Sequence, residues 1–323
     1  MSDRFSGQKV LITGAAGFLG SHLVETLLKE GAIVLGVDNF ITGNADNLAE
    51  IDTDRFAFVE ADVTQPAGNY LHGEVFDYIF HFASPASPPW YQKYPRETYL
   101  VNTVATDHLL KYLQATNPAG RFIFAGTSEA YGDPLEHPQK ETYWGNVNPN
   151  GVRSCYDESK RLGETITGVF YRNFGLDTRI VRIFNTYGPR IGVDDGRVIP
   201  SFIMSALKNQ PMRVFGDGSQ TRSYCYVSDL IEGILRLATV LEAEGQTVNL
   251  GNPVEYTVRE TAEIIWQAVY EQVSSAKIEF QELPGDDPTR RKPDISKAKE
   301  LLGWEPKVSF TEGLRKTVEW FAR

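Results

Sequence analysis

The chain has 323 residues, 41% of them hydrophobic, 23% charged and 12% aromatic, an ordinary globular composition for one large domain or two unequal ones. A net charge of −10 excludes the basic stripe of a nucleic-acid-binding protein, although a few local arginines would suffice for an anionic ligand. Two cysteines and five scattered histidines exclude a disulfide framework and the ligand spacing of a metal site. MSDRFSGQKVLITG lacks the apolar run of a signal peptide, and nothing approaches ~18 uninterrupted apolar residues. The expectation is a cytoplasmic protein with no membrane partner.

Along the chain, KVLITG (9–14) reads as a buried strand and SHLVETLLKEG (21–31) as an amphipathic helix ending at a glycine. AIVLGVD (32–38), FAFVEAD (56–62) and YIFHFA (78–83) read as further strands, and SPASPPWYQKYP (84–95) as a proline-rich, mobile loop. A helix over about 96–116 precedes the strand RFIFAGT (121–127). A second helix, carrying Tyr156 and Lys160, precedes DTRIVRIFN (177–185). Near-continuous apolar strands alternating with helices predict an α/β, Rossmann-type doubly wound parallel sheet over residues 1–185. Beyond 186, glycine and proline become frequent and strands shorten, which predicts a smaller, mixed α/β domain over 186–323. Its helices are expected near 198–208, 228–240, 258–273 and 311–322, and the strand QTVNLG (246–251) is a candidate to rejoin the first sheet. Tyr224 and Tyr226 read as core.

GAAGFLG sets Gly14, Gly17 and Gly20 after the first strand and at the start of the first helix, where backbone can approach a pyrophosphate at the positive helix end. Asp38 closes the second strand 18 residues after Gly20, placed to accept bonds from a ribose diol and so to favour NAD over NADP. Asp62, ending the third strand, either lies beside the adenine or caps a helix. Phe18, Leu19, Asn39, Val63 and Ala83, neighbours of these positions, complete the expected cofactor contacts with Tyr156 and Lys160. Tyr156 and Lys160 are four residues apart, hence on one helical face, with a phenol beside an ammonium.

The GxxGxxG spacing together with YxxxK resembles the extended short-chain dehydrogenase/reductase family over essentially the whole chain. The resemblance implies that Thr127 partners the catalytic tyrosine and that Asn102 belongs to the same proton network. It also implies that Lys160 and the bound nicotinamide stabilise the Tyr156 phenolate, which removes a proton from a sugar hydroxyl. The strings HFASPASPP (81–89), TSEAYGDP (127–134), RSCYDESKR (153–161), RIFNTYGPR (182–190), GDGSQTRSYCYVSDL (216–230) and DDPTRRKPDI (286–295) are similar to UDP-glucuronate decarboxylases, which make UDP-xylose. In that resemblance Glu129 and Arg291 handle the substrate carboxylate and proton delivery, while Asn185 and Arg222 bind the UDP phosphates. The sequence departs from the pattern at Glu97 and Leu100, in the interval where such enzymes often carry a lysine, with Arg96 as a possible substitute. Val152 and Ser159 also replace commoner residues, without touching the YxxxK spacing. Two alternatives stay open: a UDP-hexuronate or other UDP-sugar 4-epimerase that keeps its carboxylate, and a non-catalytic NAD(H)-binding regulator. A homodimer through two long helices, one of them carrying Tyr156, is implied by analogy.

Overall fold

A computed structural model describes residues 3–270, 275–282 and 290–323. Its strands in chain order are β1 (Lys9–Thr13), β2 (Ile33–Asp38), β3 (Phe56–Glu60), β4 (Tyr78–His81), β5 (Arg121–Thr127), β6 (Asp177–Ile183), β7 (Thr186–Tyr187) and β8 (Met212–Phe215). There follow β9 (Thr221–Ser223), β10 (Cys225–Tyr226), β11 (Thr247–Leu250), β12 (Glu255–Thr257), β13 (Ile278–Gln281) and β14 (Arg290–Arg291). The helices are α1 (Phe18–Lys29), α2 (Gly68–Leu71), α3 (Pro88–Lys93), α4 (Pro95–Thr116), α5 (Ser154–Phe174), α6 (Val198–Leu207), α7 (Val227–Thr239), α8 (Val258–Tyr270), α9 (Ser296–Leu302) and α10 (Phe310–Phe321).

Seven strands form the expected parallel sheet in the order β11-β6-β5-β4-β1-β2-β3. Alternation along β1 shows how the sheet is covered on both faces. Val10 and Ile12 face one core with Leu23 and Leu27 of α1 and Leu230 and Ile234 of α7, while Leu11 faces the other with Leu109 and Leu113 of α4 and Phe170 of α5. The first core continues without a break into the carboxyl-terminal elements, through Phe202, Met212, Tyr224, Trp304 and Phe310. Strand β11 lies at the sheet edge, Thr247 to Leu250 opposite Ile180 to Ile183 of β6. The remaining short strands make three small sheets, one of which, β12-β9-β14, sets Arg291 opposite Arg222.

Two expectations are revised. The segment 84–95 is not simply a loop: Ser87 in extended backbone caps α3, whose first turn accommodates Pro88 and Pro89 because those positions need no N–H partner. Tyr91, 1% exposed, pins α3 to the interior. The first helix begins at Phe18, three residues before the expected start, so Gly20 lies inside it. Residues 271–273 of the expected third late helix, and residues 286–289 of the DDPTRRKPDI string, lie outside the described residues.

Candidate active site

The order in which the chain adds strands to the parallel sheet reverses between β1 and β4, which leaves a crevice at their carboxyl ends, and there the dinucleotide residues gather. Gly14, Gly17, Asp38, Asn39, Asp62, Val63 and Ala83 line one cleft. Gly14 takes a positive φ of 74°, and a Cβ there would sit 2.7 Å from the Ala83 nitrogen. A Cβ on Gly20 would lie 1.9 Å from the Gly14 carbonyl oxygen, so α1 can start against the loop only with glycine at that position. Phe18 and Leu19 open α1, whose first N–H groups have no intrahelical acceptor, and their side chains pack on the first core. Asp38 Oδ2 accepts from Ala16 N at 2.9 Å and Oδ1 from Phe40 N at 2.8 Å, which fixes the carboxylate at the cleft while lone pairs remain for a diol. Asp62 lines the cleft and also accepts Thr64 N at 2.9 Å, closing a local turn. A glycine cradle under a helix N-terminus with an acid beyond it fits NAD.

Helix α5 presents Tyr156 and Lys160, both buried and neither among the residues that line this cleft. Thr127, at the end of β5, hydrogen-bonds the Tyr156 phenol and accepts Glu129 N at 3.2 Å, so one hydroxyl caps a short 3₁₀ turn and reaches the tyrosine. Lys160 Nζ donates to the Ala125 carbonyl at 2.8 Å and lies 5.9 Å from the Tyr156 ring centroid. Burial pulls the Lys160 ammonium down to about 7 and pushes the Tyr156 phenol up to about 12, with the Thr127 bond opposing and Glu129 reinforcing the rise. Lys160 alone therefore does not make Tyr156 a base. Asn102 is buried on α4, donates to Ser159 Oγ at 3.0 Å, and leaves its Oδ1 without a hydrogen-bond partner. Ser159 Oγ in turn donates to the Tyr156 carbonyl at 3.0 Å, so Asn102 joins the backbone at Tyr156 through Ser159.

The acid cluster is the second feature of the site. Arg291 grips Glu129 with both terminal nitrogens, at 2.6 and 2.7 Å, and Arg153 adds a third contact at 2.7 Å. Burial would raise the Glu129 carboxyl, but Arg291, Arg153 and Arg222 outweigh it and hold the group below the ordinary range. Asp157, one residue past Tyr156, is pushed up to about 7 by burial and then by Glu129. Arg222 is buried on β9 opposite Arg291 and adds its charge to the same cluster. Asn185 sits after β6, its carbonyl accepting Cys225 N at 2.9 Å, at the same carboxyl edge of the sheet. Arg96, Glu97 and Leu100 line the dinucleotide cleft with Asp62 and Val63, so Arg96 is not placed among Glu129 and Arg291.

Sequence reasoning missed Tyr91, Arg153 and Asp157. The Tyr91 ring stacks on Tyr156 with centroids 5.1 Å apart and planes at 10°. Among the described residues, the buried Tyr91 and Ser87 hydroxyls, Asp157 Oδ1 and Arg291 Nε make no hydrogen bond. Spacing could have found Arg153, three residues before Tyr156 and four before Asp157 on one helical face. Nothing in the sequence marks Tyr91, because its stack joins two helices distant in the chain.

Residues 11–317 match the model of the GDP-mannose 4,6 dehydratase family. The chain belongs to this family. It is one of the extended short-chain dehydrogenases/reductases, as its motifs implied. UDP-glucuronic acid decarboxylase 2 of Arabidopsis thaliana is 49% identical over 319 residues, 98% of this chain and 68% of that protein. UDP-glucuronic acid decarboxylase 1 of Danio rerio is 46% identical over 317 residues, 98% of this chain and 73% of that protein. Among solved structures, a tyrosine-to-phenylalanine mutant of UDP-glucuronic acid 4-epimerase from Bacillus cereus, with NAD and a fluorinated UDP-glucuronic acid, superposes with a TM-score of 0.86 at 28% identity, covering 97% of each chain.

Proposed function

We propose that the protein is an NAD-dependent UDP-glucuronate decarboxylase that makes UDP-xylose. The observation that carries this reading is the Glu129–Arg291–Arg153 cluster beside Tyr156, a buried site for a carboxylate next to a proton-transfer tyrosine. The relatives that share nearly half their residues with this chain are named for that activity. Bound NAD would supply the hydride acceptor for C4, the hydride donor after CO₂ has left, and a positive charge to add to that of Arg197, which already acts on the phenol.

Tyr156 takes the proton of the C4 hydroxyl as C4 is oxidised, with Thr127 holding the phenol oxygen. The resulting ketone is β to the C6 carboxylate. The C5–C6 bond then breaks, CO₂ leaves, and the electron pair moves onto the C4 oxygen as an enolate. Tyr156 and Thr127 are the donors near that oxygen, and such donors are worth about 3–4 kcal/mol each where water is excluded. Protonation at C5 and return of the Tyr156 proton to the C4 oxygen complete the sugar. Among the described residues, Arg291 Nε and the Tyr91 and Ser87 hydroxyls are buried without hydrogen-bond partners, which leaves them free to donate to the substrate.

The same reading includes a homodimer through α4 and α5, supported by exposed apolar side chains on both: Tyr99 on α4, Leu162 and Phe174 on α5. The deciding experiment is incubation with UDP-glucuronate and NAD followed by mass spectrometry of the nucleotide sugar. UDP-xylose with released CO₂ supports the proposal. UDP-galacturonate without CO₂ would replace it with 4-epimerisation, and no turnover would favour a cofactor-binding regulator.

A further inference from the structure

Glu129 and Arg291 come from parts of the chain 162 residues apart, yet their contacts are matched to a few tenths of an ångström. Glu129 rides on the short turn Ser128–Tyr131 after β5. Arg291 ends the two-residue strand β14, paired on one side with Arg222. So short a strand cannot hold its own register, and something on its other side must.

That side is Gln139, fully buried. Its backbone N–H donates to the Lys292 carbonyl at 2.9 Å and its carbonyl accepts Asp294 N at 2.8 Å. Its side-chain Oε1 accepts Lys292 N at 2.8 Å, and its Nε2 donates to the Glu136 carbonyl at 2.7 Å. One residue thus acts as a strand beside 292–294. Asn249, on β11 and also fully buried, joins this assembly to the Glu129 turn. Its Oδ1 accepts the Tyr131 hydroxyl at 2.7 Å, and its Nδ2 donates to the carbonyls of Gln139 at 3.1 Å and Asp294 at 3.2 Å. The amide orientation is forced, because the flipped amide would press its oxygen against two carbonyl oxygens.

We infer that Asn249 is a positioning residue for decarboxylation: its buried amide ties the turn that carries Glu129 to the strand that carries Arg291. The amide spans these two segments and no part of the dinucleotide cleft, so its loss misaligns the carboxylate site while leaving oxidation at C4 in place. The inference deepens the decarboxylase reading and rests on it.

Two variants test it. Asn249→Asp keeps the size but turns the donor toward two carbonyls into an oxygen. Tyr131→Phe deletes a single hydroxyl and keeps the ring stacked near Tyr143 and under Arg182. With NAD and UDP-glucuronate, CO₂ release should fall about a hundredfold in Asn249→Asp, the scale of an ångström-sized misplacement, and about tenfold in Tyr131→Phe. NAD affinity and the single-turnover rise in reduced-nicotinamide absorbance should stay at wild-type values, so reduced cofactor accumulates. A purely structural role would slow both steps together. Unchanged CO₂ release, or parallel loss of both steps in Tyr131→Phe, overturns the inference; if Asn249→Asp does not fold, Tyr131→Phe decides alone. Wild-type protein that releases no CO₂ refutes the decarboxylase reading instead.

Discussion

Replacing Glu129 by glutamine removes one negative charge from between two buried guanidiniums while keeping the shape of the side chain. The Arg291 and Arg153 side chains are 7% and 12% exposed, so neither recovers much hydration. Breaking a buried pair by neutralising one partner costs about 3–5 kcal/mol. A chain of this length unfolds with an entropy of about 0.7 kcal/mol/K, so the thermal midpoint of the NAD-bound protein should fall by about 4–7 °C. UDP-glucuronate should restore much of that loss, because its carboxylate is the charge the two arginines lack, whereas UDP-glucose brings none. CO₂ release should slow by about a hundredfold or more, and NAD binding should be spared. Thermal scans of the NAD-bound variant with each nucleotide sugar, beside the same scans of wild type, give the answer. Equal stabilisation of Glu129→Gln by the two sugars would refute the reasoning, since the arginines would then not be a carboxylate site.

Four further outcomes follow from the geometry. Tyr156→Phe should remove turnover by about a thousandfold while binding UDP-glucuronate normally, measured by rate assay and calorimetry. Lys160 is protonated near 10.5 when unfolded and near 7 when folded, so the unfolded chain holds more protons between those values and stability should rise with pH across that window. Tyr156 opposes this only above pH 10, where its unfolded phenol ionises and its folded one does not. Lys160→Met should flatten the rise in urea titrations and raise stability at pH 7 while abolishing activity. Asp38→Asn should weaken NAD by about tenfold and narrow its preference over NADP in fluorescence titrations. Leu162→Arg, on a side chain 49% exposed, should convert the proposed dimer to monomers in light scattering without touching the NAD site.

The sequence by itself determined the parallel sheet, the glycine loop and the partnership of Tyr156 with Lys160. Each of these is a local matter: buried strands read as apolar runs, a close backbone approach needs Gly14 with its positive φ, and four residues make one helical turn. Tertiary structure decided the rest. Tyr91 lies in a segment whose prolines suggest a loop, and only burial against Tyr156 turns it into an anchored helix. Arg153 is an ordinary surface-type residue in sequence and Arg291 stood out only by resemblance; the two clamp Glu129 because α5 begins and β14 ends at the Glu129 turn. The basicity of Tyr156 was the same kind of question. Spacing puts the lysine on the right face, but burial, the Thr127 bond and the charges of Glu129 and Arg197 set the phenol's pKa, and these belong to contacts made across the fold.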